Sequence, residues 1–389
     1  MVLLRNIIFN IILFLLLAYN LQSQEKFATG AERTTEYFDL LKDKKVGLVV
    51  NASSLVNEVH LIDTLLSADI NIKKIFAPEH GLRGTADAGE VIKDGIDQKT
   101  GLPVYSLYGK NKKPSQEMLE GLDVIIFDIQ DVGVRFYTYI STMHYVMEAC
   151  AEANIPLMIL DRPNPNGHYI DGPVLEPKYS SFVGMHPIPI VHGLTVAELA
   201  RMINGEGWLE NKDQCALQII PMSGYTHSMP YELPIKPSPN LPNKNSIAWY
   251  PTLCLFEPTN ISVGRGTYEP FQIYGAPIEN FGPYKFKPVS IDGMSKYPKH
   301  ENKTCYGYNL ENNPLPTEIR MDLIIEAYNR YPEMNNFFTS EGFFIKLSGT
   351  DKLLKQIKEG KSAEEIKKSW KEDLKNYKNL RKRYLLYED

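Results

Sequence analysis

Val124-Ile125-Ile126-Phe127-Asp128-Ile129-Gln130-Asp131-Val132-Gly133-Val134-Arg135-Phe136-Tyr137 is the stretch on which the fold turns. Its apolar run ends abruptly in a carboxylate, an amide and a second carboxylate. An unbroken run of this kind reads as a strand covered on both faces, as in a parallel sheet. The same pattern recurs elsewhere. Leu48-Val49-Val50 runs into Asn51-Ala52-Ser53-Ser54, and Lys74-Ile75-Phe76 into Ala77-Pro78-Glu79-His80-Gly81-Leu82-Arg83-Gly84. Met158-Ile159-Leu160 runs into Asp161-Arg162-Pro163-Asn164-Pro165-Asn166-Gly167.

Working outward, Val46–Val50, Ile72–Ala77, Val104–Leu107, Val124–Phe127, Leu157–Leu160 and Leu217–Pro221 read as strands. Helix-period segments fall around Leu61–Ala68, Ser115–Gly121, Ile140–Ala153 and Val196–Ile203. Alternating β and α predicts an α/β fold, a Rossmann-like, largely parallel sheet with helices on both faces. From about Tyr225 the texture changes to Pro, Asn, Gly and Tyr, which predicts a smaller α+β C-terminal domain. The expected organisation is residues 1–23 as a signal peptide, 24–225 as the Rossmann-like domain and 226–389 as the C-terminal domain. Met321–Tyr331 and Asp351–Glu359 read as helices. Ile366, Trp370, Leu374, Tyr377, Leu380 and Tyr384 mark one face of a single terminal amphipathic helix.

The chain has 389 residues, 43% hydrophobic, with 42 basic against 47 acidic side chains. That balance argues against a nucleic-acid partner. It also hides a polarity: residues 351–389 hold 12 Lys/Arg against 8 Asp/Glu, leaving 30 against 39 for the rest. The basic end reads as a solvated helix surface rather than a site for acidic polymers. Arg5, the apolar run Ile7–Ala18 and the polar stretch to Ser23 have the order of a secretory signal. The expectation is export to the periplasm or medium with no stable membrane insertion after cleavage. Cys150, Cys215, Cys254 and Cys305 are widely spaced and read as buried free thiols.

In a parallel sheet the carboxyl ends of the strands share one edge, and ligands bind in the crevice there. A lone Asp at a strand end is ordinarily a helix cap; four polar clusters on one edge suggest a site. Carboxylates (Glu79, Glu90, Asp128, Asp131), amides (Gln130, Asn164) and aromatics (Tyr137, Tyr139) suit a hydroxyl-rich ligand. Arg83, Arg135 and Arg162 suit a carboxylate, although Asp161 and Arg162 equally suit pinning of the loops. A sugar bearing an acid group would use both sets. The chain has no GxGxxG after the first strand, no P-loop, no GxSxG and no HExxH, so neither a cofactor nor a metal is expected.

Longer motifs carry a resemblance. APEHGLRG at 77–84, AGE at 88–90, TGLPVYSLYG at 100–109, FDIQDVGVRFYTYIST at 127–142, LDRPNPNG at 160–167, GPVLEP at 172–177, PSPNLP at 237–242 and TNISVGRGT at 259–267 occur in this order. Together they resemble the exo-β-N-acetylmuramidases, a bacterial family formerly catalogued as a domain of unknown function. The resemblance implies a glycosidase with its site between a Rossmann-like and a C-terminal domain. The implied activity is release of non-reducing-end N-acetylmuramic acid from peptidoglycan-derived saccharides during wall salvage. Glycoside hydrolysis needs a carboxylic acid at the leaving oxygen and a second group that activates water or stabilises the cationic sugar. Glu79 is the first choice for the acid, and Glu90, then Asp128, for the second carboxylate. The substrate's own acetamide is an alternative to the latter. His80, Arg83, Gln130, Arg135, Tyr137, Asn164, Asn240, Asn260 and Arg265 are the expected substrate-binding residues, with Arg83, Arg135 or Arg265 on the lactyl carboxylate. Another wall hydrolase or transferase, or a non-catalytic binder of wall sugars, is the alternative reading.

Overall fold

The computed structural model describes residues 26–82 and 94–389. Seven strands make the main sheet: β1 (Val46–Val50), β2 (Ile72–Ala77), β3 (Gly95–Ile96), β4 (Pro103–Ser106), β5 (Val124–Asp128), β6 (Leu157–Leu160) and β7 (Leu217–Ile220). Their order is β3-β4-β2-β1-β5-β6-β7. All neighbours run parallel except the short edge strand β3, which lies antiparallel on β4. The chain builds outward from β1 through β2 to β4, then crosses back to place β5 on the other flank of β1. That reversal makes β1/β5 the switch point at which such sheets form their crevice.

The β-branched runs alternate between two apolar cores, as the two-residue period of a strand requires. Val49, Ile125, Phe127, Leu157 and Ile159 face one core. Val46, Leu48, Val50, Ile126, Met158 and Leu160 face the other, with Leu61, Ile62 and Leu65 of α1 (Leu61–Ser67). Helix α2 (Gln116–Leu119) is short, and α3 (Tyr139–Ala153) and α4 (Val196–Gly205) cover the first face. Thr195 and Glu198 close a reciprocal cap at the start of α4. The four cysteines are buried free thiols, and Cys150 hydrogen-bonds Cys215.

The first core continues into the C-terminal part through Trp249, Phe256, Phe271, Phe337 and Phe344. A three-stranded antiparallel sheet, in the order β8 (Ile273–Ala276), β10 (Cys305–Asn309), β9 (Tyr284–Phe286), is surrounded by helices. The α/β architecture with a smaller C-terminal α+β part agrees with the expectation. Helix α5 (Lys244–Leu253) was not anticipated, because Pro251 interrupts its pattern while the Asn243 cap that starts it is ordinary loop chemistry. Helices α6 (Met321–Arg330) and α8 (Lys352–Lys358) agree with the reading; α7 (Glu341–Ser348) was not read. The terminal helix is two, α9 (Ala363–Ser369) and α10 (Lys371–Arg381), broken at Trp370. The indole N–H of Trp370, at the turn between the two helices, donates to Asp171 Oδ1 at 3.2 Å.

Candidate active site

The loops after β1 and β5 are sewn together by side chains. Asn51 Oδ1 accepts from the backbone N–H (2.9 Å) and hydroxyl (2.5 Å) of Ser53, whose Oγ accepts the Gln130 N–H at 3.1 Å. The Ser54 hydroxyl donates to the Asp128 carbonyl. Against this edge lie two adjoining recesses of about 90 and 80 Å³ that share His80, Tyr139 and Ser238. The strand-end side contributes Asn51 and Ser53 from β1, Glu79 and His80 from β2, and Tyr137 to Tyr139 from beyond β5. The opposite wall is Pro237 to Leu241 with Tyr250, Arg265 and Phe271.

Glu79 is the one carboxylate among the described residues that line these recesses. Thr138 Oγ1 donates to its Oε2 at 3.1 Å, and the Tyr108 hydroxyl also hydrogen-bonds the carboxylate. Burial first, then the Glu79 charge, pushes the Tyr108 phenol up, so it remains a donor. Neither Thr138 nor Tyr108 was anticipated as a site residue, although both lie within the quoted motifs; only tertiary proximity reveals their role. His80 is buried and holds a left-handed backbone, φ 69°, uncommon for a residue with a side chain. Tyr137 and Tyr139 pack edge to face at 4.9 Å and both donate to the Pro237 carbonyl, at 2.9 and 3.3 Å. They clamp the Pro-rich wall onto the strand edge, so the Tyr137 hydroxyl serves the wall while its ring faces the recess.

On that wall, Asn240 donates through Nδ2 to the Met294 carbonyl at 2.7 Å, and its Oδ1 has no partner among the described residues. Arg265 stacks on Phe271, 4.9 Å from the ring centre, and pairs through Nε with Glu257 at 3.0 Å. Its side chain is 26% exposed and its two Nη groups face no carboxylate among the described residues. Lys299 braces the loop that presents Arg265 by donating to the carbonyls of Phe256, Glu257, Thr259 and Ile261.

Other expected residues have different work. Asp128 is fully buried and grips Arg162 with both oxygens, at 2.5 and 2.8 Å, so it is a structural ion pair and not a second carboxylate of the cleft. Arg135 is fully buried and donates to the carbonyls of Pro173, Ile188 and Leu347 at 2.7–2.8 Å, far too committed to hold a ligand. Gln130 bridges the Asp131 and Pro163 carbonyls at 2.7 and 2.6 Å. Asn164 holds the Leu194 carbonyl and the Asn166 N–H, and presses on Gly133 so closely that any Cβ there would lie 2.0 Å from it. Asn260 donates to the Asn336 carbonyl at 2.6 Å, outside both recesses. Arg83 and Glu90 lie outside the described residues. Asp161 anchors rather than binds: it accepts from Thr195 at 2.7 Å and Tyr387 at 2.6 Å.

Asp131 and His192 form a buried contact of 3.9 Å that is not an ion pair. Burial lifts the carboxyl to about 7, against the opposing backbone N–H groups of Gly133 and Val132. Burial lowers the imidazole to about 3. Both groups are therefore neutral in mildly acidic solution. The unfolded chain loses the Asp131 proton near pH 4 while the folded chain keeps it to about 7, so this group makes stability fall as pH rises through that window. His192 acts oppositely: the unfolded chain takes its proton below about 6.5, so stability falls as pH drops towards 3. The two slopes offset one another between about pH 4 and 6.5. Asp131→Asn is expected to expose the His192 slope, with stability rising by at most about 1.4 kcal/mol per pH unit up to about 6.5. Urea denaturation across pH 4–8 measures it; a variant curve parallel to the parent would rule this pair out as the source.

Larger cavities, of about 600 and 570 Å³, lie elsewhere and hold no carboxylate fixed at a strand end. Among the described residues no group of three or more His, Cys, Asp or Glu side chains could hold a metal ion, and no helix is long and apolar enough to cross a membrane. The two family models "Exo-beta-N-acetylmuramidase NamZ, N-terminal" and "C-terminal" match residues 46–245 and 248–387. A Bacillus subtilis protein described as peptidoglycan beta-N-acetylmuramidase NamZ is 41% identical, over 93% of this chain and 92% of that one. A crystal structure of a DUF1343 family protein from Bacteroides fragilis is 48% identical over 94% of this chain and 99% of that one, with a TM-score of 0.87. A second from the same organism is 32% identical over 93% and 99%, with a TM-score of 0.79. With both halves matched in order and the sheet reproduced, the chain belongs to the exo-β-N-acetylmuramidase NamZ family.

Proposed function

We infer that the chain is an exo-acting glycoside hydrolase that releases terminal N-acetylmuramic acid from peptidoglycan fragments. The observation that carries this reading is Glu79, a carboxylate fixed by two hydroxyl donors at the end of a parallel strand and facing a recess walled by the C-terminal part. In this reading Glu79 protonates the glycosidic oxygen as the bond breaks, and the aglycone leaves as an alcohol. Glu90, or the acetamide of the substrate, supplies the second function at the anomeric carbon. The Nη groups of Arg265 are placed to take the lactyl carboxylate, and the unpartnered Oδ1 of Asn240 suits an amide N–H of the sugar. The curated Bacillus relative, named for peptidoglycan and β-N-acetylmuramide, supports this substrate class.

Export is part of the proposal, on the strength of Arg5, the apolar run to Ala18 and the polar boundary at Ser23. Amino-terminal sequencing of the protein from the cell envelope should begin after residue 23; a start at Met1 would remove the cleaved signal. For the activity, a nitrophenyl β-N-acetylmuramide should release nitrophenol, while the corresponding glucosaminide, which lacks the lactyl acid, should react at least about tenfold more slowly. No release from any muramide would overturn the reading.

A further inference from the structure

Four solvent-exposed lysines of the C-terminal end line an open cavity of about 600 Å³ between α10 and the segment 167–170. Lys371, Lys375, Lys378 and Lys382 all line it, at spacings of four, three and four, which stacks them on one face. With a rise of about 1.5 Å per residue, the row runs for about 16 Å. Lys371, Lys378 and Lys382 have no ion-pair partner among the described residues, and Lys375 meets only the exposed Glu372 at 3.8 Å. The cavity has one carboxylate in its lining, Asp389, which Arg381 already engages at 2.7 Å.

Four like charges in a row repel one another and cost stability, and only Glu372 beside Lys375 and Asp389 near Lys382 offset them among the described residues. Beside the row a second cavity, of about 570 Å³, shares His168 and Ser228 with the first. Its wall carries Tyr231, Met229, Leu233 and Leu315. A line of cations next to a recess with an aromatic and aliphatic wall, which also carries Glu232 and Lys244, matches a strand that carries repeated acid groups on sugar rings, whose C–H faces pack on apolar side chains. The opposing net charge of the first 350 residues, 30 basic against 39 acidic, disfavours a long nucleic acid that would spread beyond the trough.

We propose that this trough is a second, non-catalytic site that binds a carboxylate-bearing saccharide strand of the wall polymer and retains the enzyme on it. The proposal rests on the muramidase reading for its ligand class. The test uses the full chain and a variant with Lys371, Lys375, Lys378 and Lys382 all changed to Gln, both in a Glu79→Gln background so that strands are not consumed. The probes are peptide-free glycan strands with free lactyl carboxylates, the same strands with those carboxylates converted to amides, inorganic polyphosphate, and vesicles of anionic phospholipid. Affinity for the free-acid strand should fall by about tenfold or more in the lysine variant at low salt, and the gap should narrow in about 0.5 M salt. The amidated strand should bind weakly to both proteins. With Glu79 restored, turnover of a nitrophenyl muramide should be the same with and without the four lysines. Equal strand affinity in the two proteins, or equal binding of acid and amide strands, would overturn the proposal. So would lysine-dependent binding of polyphosphate or vesicles as tight as that of the strand. Absence of muramide turnover with strand binding intact would count against the catalytic reading and leave the trough standing.

Discussion

Glu79→Gln is expected to lower turnover of a muramyl disaccharide by about 10³-fold, within the 10²–10⁴ range typical of a lost general acid. The size of the loss should depend on the leaving group. A sugar alkoxide is a poor leaving group and needs its proton; a nitrophenolate barely does. On the nitrophenyl muramide the same variant should therefore lose less than about tenfold if bond breaking limits the rate. An equally deep loss on both substrates would move Glu79 from acid to nucleophile, and unchanged disaccharide turnover would remove it from catalysis. Tyr108→Phe is the companion measurement. It leaves the carboxylate in place but takes away one of two hydroxyl donors among the described residues. Its effect should be smaller, about tenfold, because a hydrogen bond that orients the carboxylate is gone.

Arg135→Met is expected to cost about 3–5 kcal/mol of folding stability, enough to unfold a marginal protein. The guanidinium joins three separate pieces of chain through the carbonyls of Pro173, Ile188 and Leu347. Each carbonyl left buried without a donor costs about 1–3 kcal/mol. The space is shaped around this group: a Cβ on Gly349 would lie 2.6 Å from Nη2, and one on Gly184 would lie 3.4 Å from Nε. Leu347 also lies in the last turn of α7, where a cation is favoured. Burial, with no counter-ion among the described residues, pulls the guanidinium down to about 9. The urea midpoint reports the loss. A stability change below about 1 kcal/mol together with weakened binding of free N-acetylmuramic acid would return Arg135 to the role of ligand anchor.

These two residues also mark how far the sequence could be read. The parallel strands were legible because β1 and β5 are apolar throughout, and a run covered on both faces has no other economical explanation. Glu79 was legible because it follows such a run directly. Arg135 looks the same in sequence, a charged residue just past a strand, yet its side chain turns inward to a helix more than 200 residues away. Asp128 likewise ends a strand, but this last position is still inside the sheet, where its carboxylate is held by Arg162. The difference between facing the crevice and facing the core is set by loop geometry, which one-dimensional pattern does not carry. Tyr108 and Thr138 were invisible for the same reason: an ordinary hydroxyl gains meaning only beside a carboxylate from another strand. The broken terminal helix shows the reverse case. Its apolar positions do form one face, with Ile366, Trp370 and Tyr377 buried and Leu374, Leu380 and Tyr384 half-buried, but the turn at Trp370 changes the helix count.

The reversal of strand order beside β1 has a consequence for the making of the protein. Glu79 comes from the early flank, Tyr137 to Tyr139 from the strand laid down after the crossing, and Asn240 and Arg265 from the segments that follow the sheet. β1 pairs with β5, Val46 opposite Val124, across a long intervening chain, a slow kind of contact to form. A nascent or nicked chain that stops short of Pro237 therefore holds one side of a cleft and no cleft. Hydrolytic power in this architecture arrives all at once, late, with the last wall.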